Sequence, residues 1–270
     1  MPDTRGVSFI GGGNMAGAII DAIISSGILP PSKISVFEPS DERRKALAEK
    51  KINIANSNLE LISKEDILFI AVKPQVFDSV LEEIMGKVKN ICVVSIAAGI
   101  STEHIKSKLS EPVPVIRALP NTPMLILDGM TVLAEADSVP ENIFEFVKNI
   151  FSAAGEVVVL PEEKINEAIP LSSSSPAFFF RMLDAMANVA LEYGISYEDA
   201  LKLSAVAMKG SANYLLASDK TPKELVSQVS SPGGTTVAAL SAFDDFSFEE
   251  FISETFGRCV GRAYELGKGK

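Results

Sequence analysis

The sequence has little of what most metal sites and hydrolytic sites are made from. Its 270 residues include one histidine, two cysteines and no tryptophan. A zinc site needs several His or Cys ligands at close spacing, and a Ser-His-Asp triad needs a histidine beside a nucleophile motif, so we expect neither. The single histidine, His104, lies in a charged segment (residues 101–109) that predicts a helix, and we expect it on the solvated side. Chemistry here must run without a histidine acid or base.

Basic residues and long apolar runs are also scarce. The 25 Lys and Arg face 35 Asp and Glu, and a net charge of −10 argues against nucleic acid or an anionic membrane as a partner. The longest apolar stretch, residues 176–191, is interrupted by Arg181, Asp184 and Asn188, whereas a membrane-spanning helix needs about 20 mostly apolar residues. Cys92 and Cys259 lie far apart, and without a visible targeting segment they predict reduced thiols in a cytoplasmic protein.

The order of the predicted elements indicates an α/β domain followed by an all-α domain. Short β-branched runs alternate with helical patterns up to Pro161, which predicts parallel βαβ units and a doubly wound parallel sheet. Beyond Pro161 the sequence is helical and rich in Ala, Leu and Ser. We expect an α/β domain over residues 1–161 and a helical domain over residues 162–270. Strands are predicted at residues 7–10, 34–37, 67–72, 91–96 and 113–119, with a strand–helix–strand edge at residues 130–133, 141–151 and 156–160.

One predicted helix, residues 178–191, has almost no polar surface. Arg181, Asp184 and Asn188 follow one another at steps of three and four and form one narrow polar stripe. A helix that is apolar on its other sides must be surrounded, and a domain of this size can hardly do that alone. We expect a subunit interface of a homodimer to cover it; the alternative is packing under the first domain.

The sharpest local motif is a glycine-rich turn that follows the first predicted strand. Gly11-Gly12-Gly13-Asn14-Met15-Ala16 fits G-x-G-x-x-A and opens a predicted helix. Gly11 allows the tight turn, Gly13 allows a pyrophosphate to approach, and Ala16 allows close helix–strand packing. This context predicts a Rossmann-type domain, with cofactor contacts at Gly11, Gly13, Asn14 and Met15.

The choice between NAD and NADP stays open in the sequence. The second predicted strand ends at Glu38, and an acid there normally accepts from the ribose hydroxyls and repels a 2′-phosphate, which favours NAD. Arg43 and Arg44 follow at the start of the next helix, and an arginine there could hold that phosphate instead.

A second glycine turn, Ser230-Ser231-Pro232-Gly233-Gly234-Thr235-Thr236, lies in the helical part. Proline and two glycines end the preceding helix, and Thr235 or Thr236 can cap the next one, leaving several N–H groups that suit a carboxylate. The alternative is a plain helix–helix corner. For the reaction itself, hydride transfer to an activated C=N bond suits a chain without catalytic histidine, since an iminium carbon is already electrophilic.

Five segments, in order along nearly the whole chain, resemble the pyrroline-5-carboxylate reductases. Residues 11–15 resemble the family's G-x-G-N-M turn, residues 71–75 (AVKPQ) its A-V-K-P segment, and residues 95–100 (SIAAGI) its next strand end. Residues 117–123 (RALPNTP) resemble R-x-M-P-N-T-P, and residues 229–236 (VSSPGGTT) are similar to V-x-S-P-G-G-T-T. The last two motifs are long and specific.

The resemblance implies a Rossmann domain followed by a helical domain that interlocks with its partner in a homodimer. Assembly of such dimers into a larger oligomer stays open. The active site would lie between one subunit's cofactor and helical-domain residues of the dimer. The implied reaction reduces L-1-pyrroline-5-carboxylate to L-proline, the last step of proline biosynthesis. The cofactor would be NADP, the family's usual one, or NAD, as Glu38 suggests.

Residue roles follow from the same resemblance, position by position. Lys73 would sit near the nicotinamide and the Thr236 hydroxyl near the imine nitrogen, and these are the predicted catalytic residues. The substrate carboxylate would be held by Ser231, Gly234, Thr235 and Thr236. Further cofactor contacts would come from Asn58, Ala71, Val72, Lys73, Pro74, Ala97 and Ala98.

One departure from the family pattern lies at residues 172–177 (SSSSPA), where the family usually has S-G-S-G-P-A. Ser173 and Ser175 replace the glycines. Either those positions need positive φ, so that serine costs roughly 1–2 kcal/mol at each, or they need close packing that an added hydroxymethyl group disturbs. Asn166, Ile169 and Pro170 likewise stand where the family tends to have Asp, Thr and Ala. The departure leaves two alternatives: a paralogue that reduces another cyclic imine, and a non-catalytic dinucleotide-sensing dimer.

Overall fold

The computed structural model describes residues 5–62, 66–109, 112–136 and 138–268, which fall into two units. The first unit comprises Met1–Pro176 together with Cys259–Lys270, and the second comprises Ala177–Arg258. The strands are β1 (Val7–Ile10), β2 (Ile34–Phe37), β3 (Asn53–Ile54), β4 (Ile67–Ile70), β5 (Cys92–Ser95), β6 (Val115–Leu119), β7 (Gly129–Ala134) and β8 (Gly155–Leu160). The helices of the first unit are α1 (Asn14–Ser26), α2 (Asp41–Glu49), α3 (Asn58–Ile62), α4 (Pro74–Ile84), α5 (Thr102–Leu109), α6 (Glu141–Ser152) and α7 (Ile165–Ala168).

The eight strands form one sheet in the order β3-β2-β1-β4-β5-β6-β7-β8. Neighbours from β3 to β6 are parallel, as the sequence predicts, and so are β7 and β8. The pair β6 and β7 is antiparallel, because the chain between them forms only a short 3₁₀ turn (Thr122–Ile126) and no crossover helix. The sequence pattern did not reveal this reversal, nor the two-residue strand β3.

Both faces of the sheet are covered, which makes the fold doubly wound. On one face α1 and α6 pack over β1 and β4, where the rings of Phe9 and Phe69 stack with centroids 4.6 Å apart. On the other face α4 and α5 bury a second apolar cluster that includes Ile10 and Phe77. Strands buried on both faces are near-continuous apolar runs, which is why they were visible in the sequence.

The last turns of the C-terminal helix also belong to the first unit. In this helix, α12 (Phe248–Lys268), Ala263 is buried in a small cluster with Leu119 and Ile165. The Tyr264 hydroxyl donates to Glu167 Oε1 at 2.7 Å. A stretch far away in sequence therefore completes the packing around β6 and α7.

The second unit is helical, with α8 (Ser175–Ala190), α9 (Tyr197–Leu216), α10 (Pro222–Val229), α11 (Thr235–Asp245) and the first part of α12. On α8 the three residues of the polar stripe are exposed, and Asp184 accepts from the Tyr197 hydroxyl at 2.8 Å. Large apolar side chains are exposed as well, including Phe180, which is 64% exposed, and Met186. Among the described residues, no helix combines the length and the apolar character needed to cross a bilayer.

Candidate active site

The glycine-rich turn has the geometry that dinucleotide binding requires. Gly11 has φ of +95° and its N–H donates to the Phe37 carbonyl at 2.9 Å. A Cβ there would lie 2.7 Å from the Ala71 carbonyl oxygen, so only glycine fits. Gly13 is the N-cap of α1 and, having no side chain, leaves the first N–H groups of the helix without a side-chain cap. A Cβ at this position would have Arg43 as its nearest neighbour, at 3.8 Å. The first N–H groups of α1 therefore face open space, where a phosphate can accept from them.

Glu38 is built into this turn. Its Oε2 accepts from the Gly12 N–H at 2.8 Å and its Oε1 accepts from the Ser40 N–H at 3.0 Å. The residue is only 5% exposed. The structure shows a carboxylate that braces the second glycine of the turn from inside the protein. The contact with the ribose that the sequence suggested stays a prediction.

A basic recess of about 200 Å³ lies beside the turn, between α1 and α2. Arg43 and Lys50 line it together with Gly12 and Gly13. Lys50 pairs with Asp21, whereas the Arg43 side chain makes no ion pair with any described residue. Of the two arginines that the sequence offered for a phosphate, Arg43 is the one that lines the recess. Sequence reasoning missed Lys50, because it lies at the C-terminal end of α2, far from the glycines along the chain.

The sheet topology brings three predicted cofactor segments to one edge. Since β1, β4 and β5 are parallel neighbours, the residues after their carboxyl ends lie side by side: Gly11–Met15, Ala71–Pro74 and Ala97–Ala98. The strand order also reverses between β1 and β4, which is the usual ligand crevice of such sheets. Lys73 is the exposed N-cap of α4, and Pro74 occupies the first position of that helix.

Asn58 supplies an unmatched acceptor. The residue is 5% exposed and begins α3; its Nδ2 donates to Glu83 at 2.7 Å, while its buried Oδ1 accepts from none of the described residues. A buried unpaired oxygen is costly unless a ligand satisfies it. With the uncapped α1 N-terminus and the unobstructed Gly13, this acceptor makes the residues fit a dinucleotide with its ribose hydroxyl groups.

The second glycine turn lies in the second unit and starts α11. Gly233 has φ of +70°, and the Gly234 N–H donates to the Ser231 carbonyl at 2.9 Å. The N-cap is Gly234, without a side-chain cap bond, so the expectation that Thr235 or Thr236 caps this helix is wrong. Because Gly233 has a left-handed conformation, the chain turns at this residue and the helix cap falls on Gly234, one residue before Thr235. Thr235 is exposed and Thr236 is half-buried, and the first N–H groups of α11 lack intrahelical acceptors.

The serine-rich corner carries no backbone strain. Neither Ser173 nor Ser175 has positive φ, so the strain alternative is excluded. The Ser173 hydroxyl donates to the Pro120 carbonyl at 3.0 Å, and the Ser175 hydroxyl donates to the Leu171 carbonyl at 2.9 Å. The added hydroxyl groups therefore form hydrogen bonds that tie the corner to the residue after β6 and to the preceding turn.

Two polar residues behave differently from what the sequence suggested. His104 is not solvated: its side chain is 15% exposed and Nε2 lies 2.7 Å from Asp78 Oδ1. Arg117 in β6 is 3% exposed and donates to Asn166 Oδ1 at 2.6 Å. Burial lowers the pKa of Arg117, and the nearby Glu162, Tyr264 and Glu167 oppose that shift. Among the described residues no cluster of His, Cys, Asp and Glu could hold a metal ion.

Comparison with known proteins covers nearly the whole chain. Residues 162–266 match the family model described as pyrroline-5-carboxylate reductase dimerisation, and residues 6–99 match the model described as NADP oxidoreductase, coenzyme F420-dependent. The pyrroline-5-carboxylate reductase of Escherichia coli is 38% identical over 97% of this chain and 98% of its own length. That of Synechocystis is 34% identical over 97% of this chain and 98% of its own length.

Two solved structures share the fold of this chain. The pyrroline-5-carboxylate reductase of Coxiella burnetii superposes with a TM-score of 0.89 at 29% identity, covering 98% of this chain and 99% of that one. The Plasmodium falciparum enzyme, solved with NADP bound, shares the fold with a TM-score of 0.90 at 23% identity, covering 99% of this chain and 100% of that one. The chain is an oxidoreductase, and it belongs to the pyrroline-5-carboxylate reductase family.

Proposed function

We propose that this chain reduces L-1-pyrroline-5-carboxylate to L-proline, the last step of proline biosynthesis, with NAD(P)H as the hydride donor. The observation that carries the proposal is the pairing of two uncapped helix N-termini in one chain: α1 behind a G-x-G-x-x-A turn and α11 behind an S-P-G-G-T-T turn. One suits a pyrophosphate and the other a small carboxylate. The full-length relatives that carry this name support the same reaction.

The first unit would hold the cofactor, whose reduced nicotinamide supplies the hydride when it is bound. The N–H groups of the α1 first turn would hold the pyrophosphate, and Asn58 Oδ1 would accept from a ribose hydroxyl. We propose NADPH as the preferred donor, because Glu38 is turned into the glycine turn and Arg43 lines the adjacent recess without an acid partner. Lys73, exposed at the N-terminus of α4, would place its cation toward the nicotinamide.

The second unit would hold the substrate. The N–H groups of the α11 first turn, together with Ser231 and Gly234, would take the carboxylate. The Thr236 hydroxyl would hydrogen-bond the imine nitrogen as electron density builds there during hydride transfer. Thr235, which is exposed and caps nothing, would contribute its backbone N–H alone.

We further propose that the protein acts as a homodimer in the cytoplasm. A second copy is the occupant that suits the exposed apolar side chains of α8, because Met186 and Val189 line a wholly apolar recess of about 470 Å³. Two unpaired cysteines fit a reducing compartment.

The test is NADPH or NADH oxidation by the purified protein with L-1-pyrroline-5-carboxylate, and in parallel with 1-pyrroline, which lacks the carboxylate. We expect turnover with the first imine and much weaker turnover with the second. Equal turnover with both would favour a different cyclic imine as the substrate. Cofactor binding without turnover would favour the sensing dimer.

A further inference from the structure

A cavity of about 310 Å³ lies in the first unit beside β6 and shares no residue with the predicted cofactor and substrate sets. Its lining includes Thr102, Glu103, Arg117, Glu163, Asn166 and Tyr264. The volume is near the lower end of small-molecule pockets, which run from about 300 to 1,000 Å³. The cavity is therefore large enough for a compact small molecule.

A buried cation forms the inner part of this cavity. Arg117 is 3% exposed, and its guanidinium makes one hydrogen bond, to Asn166, and no ion pair with any described residue. A guanidinium carries five N–H donors, so most of them have no acceptor among the described residues. Asn166 is neutral, and the nearby carboxylates of Glu162 and Glu167 favour the charged form of Arg117 without forming an ion pair with it. A buried guanidinium with unfilled donors is costly, and a carboxylate is the group that matches its geometry.

Two unengaged acids line the same cavity on its exposed side. Glu103 and Glu163 are both exposed, and neither makes a hydrogen bond or ion pair with a described residue. The third acid of the lining, Glu162, is already bound by Thr102 through its N–H at 2.7 Å and through its hydroxyl. A simple anion would be attracted by Arg117 and repelled by the two outer carboxylates and by Glu162. A ligand with a carboxylate at one end and an ammonium group at the other can bind Arg117 with the first and the two outer acids with the second.

We propose that this cavity binds a small zwitterionic amino acid, with its carboxylate on Arg117 and its ammonium group toward Glu103 and Glu163. The choice of probe rests on the proposed function: its product, L-proline, is a compact zwitterion of this kind. The chain would then bind its own product at a place other than the Thr236 turn.

The test counts L-proline sites per chain by isothermal titration calorimetry of the full-length protein with NADP⁺ present. We expect two sites in the wild type, of which Thr236→Val weakens one. The double variant Glu103→Lys/Glu163→Lys should weaken the other by about tenfold, since it turns two attractions into repulsions. Its kcat and KM for L-1-pyrroline-5-carboxylate should stay unchanged. Glu156→Lys, an exposed acid on β8 outside the cavity, is the matched control.

Three results would overturn the inference. The first is a single proline site per chain that Thr236→Val abolishes. The second is a second site that the double variant leaves intact. The third is a second site at which acetate competes as well as L-proline, which would make it a plain anion site. Absence of turnover would reject the proposed function alone, because the calorimetric count does not depend on catalysis. The double variant is preferred to Arg117→Gln, which alters a buried strand residue and can prevent folding.

Discussion

Glu38→Gln tests whether this residue braces the glycine turn or selects the cofactor. The glutamine keeps one acceptor oxygen and replaces the other by an NH₂ group, which then faces the N–H of Gly12 or of Ser40. A hydrogen bond to a charged group contributes about 1.5–3 kcal/mol, and here the loss leaves buried donors without an acceptor. We expect the free energy of unfolding to fall by that amount. We also expect the KM values for NADH and NADPH to rise together, by about tenfold or more, because the amide that carries the turn loses its anchor.

The measurements are urea unfolding and steady-state kinetics with both cofactors. Glu49→Gln, an exposed acid on the neighbouring helix α2, is the control and should change neither quantity. The decisive quantity is the ratio of the two KM values. A variant of unchanged stability whose preference moves toward NADPH would refute the bracing role and support the ribose contact that the sequence suggested. Glu38→Ser removes the charge and cannot reach either amide. If Glu38 braces the turn, this variant should also lose stability and raise both KM values; if Glu38 contacts the ribose, it should shift the preference toward NADPH.

Four further predictions concern other parts of the molecule. Thr236→Val should lower turnover by about 10- to 100-fold at unchanged cofactor affinity, since a hydroxyl group on the imine nitrogen should contribute less than the roughly 2.7–4 kcal/mol of an oxyanion-hole donor; Thr235→Val should stay near wild type in the same assay. Met186→Asp should yield monomers or unfolded protein by light scattering, because an unpaired charge would be buried between subunits. Ser173→Gly should lower the unfolding free energy by about 1–2 kcal/mol in urea titration, with activity retained, since a hydrogen bond is lost and the unfolded chain gains freedom. Burial raises the pKa of Cys92 to about 12, so its thiol should resist alkylation at neutral pH in the folded protein and react once it is unfolded.

Features that depend on a few consecutive residues were predictable from the sequence. The glycine turn at Gly11–Gly13 and the buried strands β1 and β4 are examples, because a turn motif and an apolar run each consist of consecutive residues. Direction within the sheet is different. The apolar pattern of β7 is the same whichever way the strand runs, and only the short connection after β6 makes it antiparallel.

Side-chain orientation was the least predictable part of the candidate site. Glu38 stood at the expected strand end, but its direction depends on the Gly12 amide, 26 positions earlier in the chain. The helix cap at Gly234 depends on the left-handed conformation of Gly233, which leaves no trace in the threonine pattern. His104 found a partner on a different helix, Asp78, that no local signal pointed to. In each case a contact made through space decides what the residue does.

The division of the chain into units has a bearing on the order of synthesis and folding. The first unit is interrupted after Pro176 and resumes at Cys259, and Ala263 and Tyr264 pack against β6 and α7 only after that return. On the ribosome, the strands and helices before Pro176 emerge well before the segment that closes them. The apolar patch around Leu119 and Ile165 therefore stays uncovered throughout translation of the whole second unit. Exposed apolar surface of this kind favours aggregation of a nascent chain, and a chain that stops after Arg258 would keep the patch exposed.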